Sequence, residues 1–129
     1  TESAIVEKSQ TTVSILQQLR SRNIQLSIDD FGIGYSSLSY LHSLPVNALK
    51  VDKFFVQNLN EAPINTGIVP AIIRLAKTMG MYAIAEGIET IEQLERLRML
   101  DCDCGQGYLF SQPLPPEKVI ELIAREPQW

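Results

Sequence analysis

Four short apolar runs in this chain end abruptly in polar side chains, and helix-patterned segments separate them. Ile24, Leu26 and Ile28 alternate in the manner of a strand and stop at Asp29-Asp30. Residues 48–51 form a second run, whose end presents Lys50 and Asp52. MYAIAEGIE is a third, closing on Glu86-Gly87 with Glu89 nearby, and CGQGYLF is a short fourth with Gln106 near its end. Strands that alternate with helices pair in parallel through right-handed crossovers. The expected class is therefore α/β, with about four mainly parallel strands. In a (β/α) barrel the site is built at the C-terminal ends of the strands, which is where these polar residues fall.

The intervening segments support that order. Val13, Leu16 and Leu19 recur at helical spacing within residues 9–22 and predict a helix before the first strand. Gly32 and Gly34 mark a tight Ser-rich loop, after which Ser36 or Ser37 can cap a short helix that Pro45 ends. A helical turn is expected over 54–59. INTGIVPAIIRLAKTMG reads as a helix starting no earlier than about residue 65, because Pro70 must lie near its first turn, and stopping at Gly80. Thr90 and Gln93 have the spacing of a capping box for a helix to about Leu100, and Pro115-Pro116 open a last helix through Ala124.

A chain of 129 residues, 45% of them hydrophobic, can bury one core. No apolar run approaches the roughly 18 residues of a membrane helix, so a soluble, cytoplasmic chain is expected. Thr1 reads as a cut within a longer protein or as a processed terminus. The formal net charge of −4 argues against nonspecific binding to duplex nucleic acid, which depends on many Lys and Arg contacts to phosphate. An acidic chain can still bind a phosphate ester when cations sit between carboxylate and phosphate. Cys102 and Cys104 stand too close for an unstrained disulfide, and C-x-C alone is a weak zinc signal, so two buried or half-buried thiols are expected. His42 is read as a surface or packing residue, and Tyr35 and Tyr108 as packing residues.

Carboxylates at neighbouring strand ends repel one another and raise each other's pKa. Hard divalent cations such as Mg²⁺ or Mn²⁺ relieve that repulsion and prefer oxygen ligands. Adjacent aspartates suit a pair of metals roughly 3.5–4 Å apart, a recurrent device for cleaving phosphodiesters. Lys50 can then orient the attacking water or offset phosphoryl charge, and Glu86 can ligate a metal or accept a proton. Each residue alone has a blander reading. Asp29-Asp30-Phe31-Gly32 is compatible with a turn or cap, Lys50 and Asp52 with a surface ion pair, Glu86-Gly87 with a strand-end turn, and Gln106 with satisfied loop backbone. Their co-occurrence at the ends of one βα series favours chemistry.

In order and spacing, DDFGIGYSSLSYL, LPVNALKVDKFFV, AIAEGIET and CGQGYLFSQPLP resemble the C-terminal half of the EAL domain. Members of that family hydrolyse the bacterial second messenger cyclic di-GMP to linear pGpG with Mg²⁺ or Mn²⁺. The resemblance covers essentially the whole chain. It departs at Ile33, where the family usually has Thr, and at Phe54, where Ser is usual. It implies that Asp29 is a bridging metal ligand and that Asp30 binds the second metal. Lys50 would contact the catalytic water, with Asp52 supporting that lysine. Glu86 would lie by the second metal as ligand or general base, and Glu89 and Gln106 would complete that metal's surroundings and the substrate contacts. Residues 31–37 resemble the family's mobile loop, and Glu2, in the opening TES, resembles the glutamate that anchors it.

The family's fold, a TIM-type barrel, takes about 250 residues. The resemblance therefore implies half of a TIM-like barrel, with the N-terminal half and its remaining metal ligands elsewhere. Such a half leaves sheet edges and an apolar inner face, so a homodimer or the missing barrel half is the expected partner. The isolated chain is expected to be inactive or very weak. A receptor that binds cyclic di-GMP without cleaving it, and a dimerisation module, are the alternatives.

Overall fold

A computed structural model describes residues 2–33, 38–59 and 67–127, and the side chains of these except for 2–10 and 39. Helix α1 (Glu2–Ser21) opens the chain. Val13, Leu16 and Leu19 are its half-buried positions within 11–20, as their spacing predicts. Asn23 ends the helix in the left-handed region at φ 61°. Its amide donates to the Arg20 carbonyl and that of Ile24 to the Leu19 carbonyl.

Those bonds explain why β1 (Ser27–Phe31) begins later than the alternation from Ile24 suggests. The backbone at Ile24 is committed to the end of α1, and its side chain is exposed. The chain continues through α2 (Leu38–Ser43), β2 (Ala48–Val51), α3 (Lys53–Gln57), α4 (Ile68–Thr78), β3 (Tyr82–Ala85), α5 (Ile91–Met99), β4 (Cys104–Gly105) and α6 (Pro116–Ala124). The four strands pair in parallel in the order β1-β2-β3-β4.

Strand alternation divides the sheet into two faces. Leu49 and Val51 of β2 pair with Ala83 and Ala85 of β3, and all four are fully buried. Val69, Ile72, Ile73 and Ala76 of α4, with Leu94 and Leu97 of α5, complete this core. Fully burying such an aliphatic side chain contributes about 1.5–3 kcal/mol. Lys50 and Ile84 occupy the alternate positions and are half-buried, and Tyr82 is 59% exposed. On α6, Ile120 and Ile123 are also exposed. Among the described residues the sheet therefore has one covered face, one open face, and edges at β1 and β4.

Local signals placed the helix ends. Thr90 and Gln93 form the complete capping box of α5, Gly80 follows α4 at φ 68°, and Pro116 is the first residue of α6. Helix α3 starts at Lys53, one residue before the expected turn, because Asp52 caps it.

The cysteines divide. Cys102 is half-buried, with its Sγ 3.4 Å from the Ala83 carbonyl, and burial pushes its thiol up to about 11. Cys104 is exposed, which corrects the expectation that both thiols are at least half-buried; it sits on a two-residue edge strand that gives it no cover. At pH 8 a thiol with a pKa near 11 is about one-thousandth thiolate. Iodoacetamide is therefore expected to label Cys104 and spare Cys102 at pH 8, with Cys102 reacting as the pH approaches 11. Peptide mapping by mass spectrometry checks this, and equal labelling at pH 8 contradicts it.

Candidate active site

The site begins with an irregularity in β1. Ile28 pairs with Leu49 and Phe31 with Val51, so β1 advances three residues while β2 advances two. The extra residue is a β-bulge, a device that re-aims side chains. Asp30 sits there in the left-handed region at φ 51°. A regular strand sends adjacent side chains to opposite faces. Here Asp29 and Asp30 instead present their carboxylates to one place, where Glu86 joins them from the end of β3. One oxygen from each of the three lies within 4.8 Å of the others.

Lys50 holds this cluster from β2. Its Nζ donates to Asp29 Oδ1 at 2.7 Å and forms an ion pair with Glu86 Oε1. The bond to Lys50 lowers the Asp29 carboxyl below its ordinary value. The bonds to Asp29 and Glu86 raise the Lys50 ammonium above its own. Asp30 moves the other way: partial desolvation, then the charge of Asp29, then Asp52 and Glu86, raise its carboxyl. An all-oxygen donor set at this separation fits hard divalent cations.

Asp52 is buried, and its Oδ1 accepts from the Phe54 amide at 2.7 Å as the N-cap of α3. It also borders Asp30. The support for Lys50 expected from Asp52 thus has a different geometry: Asp29 and Glu86 are the carboxylates on the lysine, and Asp52 ties the site to α3. Asp30, Asp52 and Glu86 open into a cavity of about 390 Å³ that Glu89 and Gln106 also line. Glu89 is set by the α5 cap, since its amide donates to Gln93 Oε1 at 2.8 Å. Gln106 extends the pairing of β3 and β4: its amide donates to the Ala85 carbonyl and its carbonyl accepts from Ile88.

Five of the predicted residues thus line one cavity, and Asp29 and Lys50 adjoin it through the carboxylate cluster. Glu2 is in α1 with its side chain outside the described residues, as are 34–37 of the expected mobile loop and Tyr35. His42 is exposed, as expected. Tyr108 is a correction. It is 62% exposed and lines the cavity rather than packing in the core, because its segment runs along the cavity rim. Lys53 and Gln57 were missed on the same wall. Their i,i+4 spacing on a helix that begins at a strand end was the available signal.

A model of the EAL domain matches residues 1–113. The chain belongs to the EAL domain family. The cyclic di-GMP phosphodiesterase NbdA of Pseudomonas aeruginosa is 46% identical over 123 residues, which are 95% of this chain and 16% of NbdA. The crystal structure of the EAL domain of Mycobacterium smegmatis DcpA matches with a TM-score of 0.85 and 41% identity, covering 96% of this chain and 56% of that one. Klebsiella pneumoniae BlrP1, solved as a manganese and cyclic di-GMP complex at pH 9.0, matches with a TM-score of 0.68 and 36% identity over 78% of this chain and 26% of its own. This EAL chain spans about a sixth of the length of the curated relatives it matches.

Proposed function

We propose that this chain is the C-terminal part of an EAL domain whose complete form hydrolyses cyclic di-GMP to linear pGpG at a pair of divalent cations, Mg²⁺ or Mn²⁺. The observation that carries this reading is the convergence of Asp29, Asp30 and Glu86 on one point, with Lys50 held among them. Asp29 would bridge the cations, with Asp30 and Glu86 holding the second. Such cations, when bound, offset the charge of a phosphodiester and lower the pKa of water. Lys50 would orient the attacking water, its ammonium fixed in place by two carboxylates. Glu86, if not engaged as a ligand, would take the proton from that water. Glu89 and Gln106 would contact the substrate from the cavity wall. The N-terminal barrel half, or a second copy of the chain, would cover the open sheet face around Tyr82 and the exposed isoleucines of α6.

Product analysis with Mn²⁺, on the chain alone and on the full-length protein, tests the reading. The full-length protein is expected to release pGpG and the chain alone to turn over near background. Full turnover by the chain alone refutes the half-site. Cyclic di-GMP bound by the full-length protein without release of product identifies a receptor and overturns the hydrolysis.

A further inference from the structure

The cavity beside the cluster is strongly acidic. Asp30, Asp52, Glu86 and Glu89 all line it. A cyclic dinucleotide brings two phosphodiesters. Cations held by Asp29, Asp30 and Glu86 would serve the one that reacts, and the other would lie against a carboxylate-rich wall unless a cationic side chain meets it. Among the described residues, Lys53 is the cation on that wall.

Its placement is specific. Lys53 is the first residue of α3, directly after the Asp52 cap. A Cβ added at Gly87 would stand 2.5 Å from the Lys53 Cβ and 3.3 Å from its Cα, and Gly87 has φ 70°. The absence of a side chain at 87 therefore lets the end of β3 pack directly on the root of Lys53. The stem is pinned at its base while the residue remains exposed to the cavity. Lys50 is neutralised by two carboxylates, whereas Lys53 makes no ion pair among the described residues. Gln57, one turn along the same helix face, lines the cavity beside it and can donate an amide hydrogen bond.

We propose that Lys53, assisted by Gln57, forms the subsite that receives the non-reacting phosphodiester of the cyclic dinucleotide. This rests on the functional reading above. It makes Lys53 a binding residue whose contact is alike in the ground and transition states, so its loss falls on KM rather than kcat.

Lys53→Met, Lys53→Arg and Gln57→Ala in the full-length protein test the subsite with cyclic di-GMP and Mn²⁺. Lys53→Met is expected to raise KM about tenfold, the scale of one charge-assisted hydrogen bond, with kcat changed less than about threefold. Lys53→Arg should restore most of the affinity, and Gln57→Ala should raise KM by a smaller factor. The dependence of KM on ionic strength should become shallower in Lys53→Met. A Lys53→Met protein with unaltered KM, or with the loss confined to kcat, overturns the subsite alone. Calorimetry separates the two readings: no binding of cyclic di-GMP by the unsubstituted protein overturns the functional reading and the subsite with it.

Discussion

Asp30→Asn is expected to lower the turnover of cyclic di-GMP by the full-length protein at least about a hundredfold, the scale of losing one charge-stabilising group at a reacting centre. The substitution changes charge and little else. Asn accepts the left-handed backbone that Asp30 adopts at φ 51°, so the bulge in β1 should persist. Stability should hold or rise in chelator-treated buffer. Desolvation and neighbouring carboxylates raise Asp30 above 3.8, so the folded state binds its proton more tightly than the unfolded state does. Its contribution to stability therefore falls as pH rises through 3.8 towards the folded value, and at neutral pH the ionised group opposes folding. An amide removes that opposition. Asp29 has the reverse sign: its lowered carboxyl contributes above 3.8, and the contribution is lost as pH falls through its folded value. Added Mn²⁺ should raise the Tm of the unsubstituted protein more than that of Asp30→Asn, because a ligand stabilises the state that binds it. Turnover within tenfold of the unsubstituted protein, with an unchanged response to Mn²⁺, would remove the carboxylate cluster from the reaction. A fall in Tm would trace the effect to the fold.

The same residues show how far local sequence reaches. Apolar runs bounded by polar ends placed β2 at Ala48–Val51, and the capping signal placed α5, because each depends on atoms within a few residues. The convergence of Asp29 and Asp30 was legible as chemistry but not as geometry. Strand alternation alone sends the two apart, and the bulge that unites them is a matter of register against β2, which no stretch of β1 encodes by itself. Ile24 kept the alternation of a strand and still lay outside one, since α1 claims its amide. The role of Asp52 divided for a similar reason. The resemblance implied support for Lys50, but its carboxylate accepts from the Phe54 amide at the start of α3. Tyr108 and Cys104 illustrate the remaining limit. Exposure is decided by which layer covers a segment, and neither residue type nor spacing reports that.

Gly107→Ala is expected to destabilise the complete EAL domain by about 3 kcal/mol and to impair catalysis in the molecules that fold. A Cβ at 107 would overlap the backbone nitrogen, carbon and oxygen of Ile88. Ile88 cannot step aside cheaply. It is 1% exposed, its amide donates to the Gln106 carbonyl at 3.0 Å, and its carbonyl accepts from the Leu109 amide at 3.0 Å. It also lies between Gly87 and Glu89, so any shift moves Glu86 and Glu89 on one side of the cavity as it moves Gln106 on the other. Gly105→Ala is the control. A Cβ there would meet Ile88 Cδ1 at 2.6 Å and Phe110 Cζ at 3.3 Å, both at the ends of side chains that can turn, and the expected loss is about 1 kcal/mol. Urea unfolding should show a larger fall in midpoint for Gly107→Ala than for Gly105→Ala, at unchanged m-value. Equal midpoints for the two would mean that the Ile88 backbone yields as readily as its side chain. In that case the contact between residues 88 and 107 does not hold the two sides of the cavity in register.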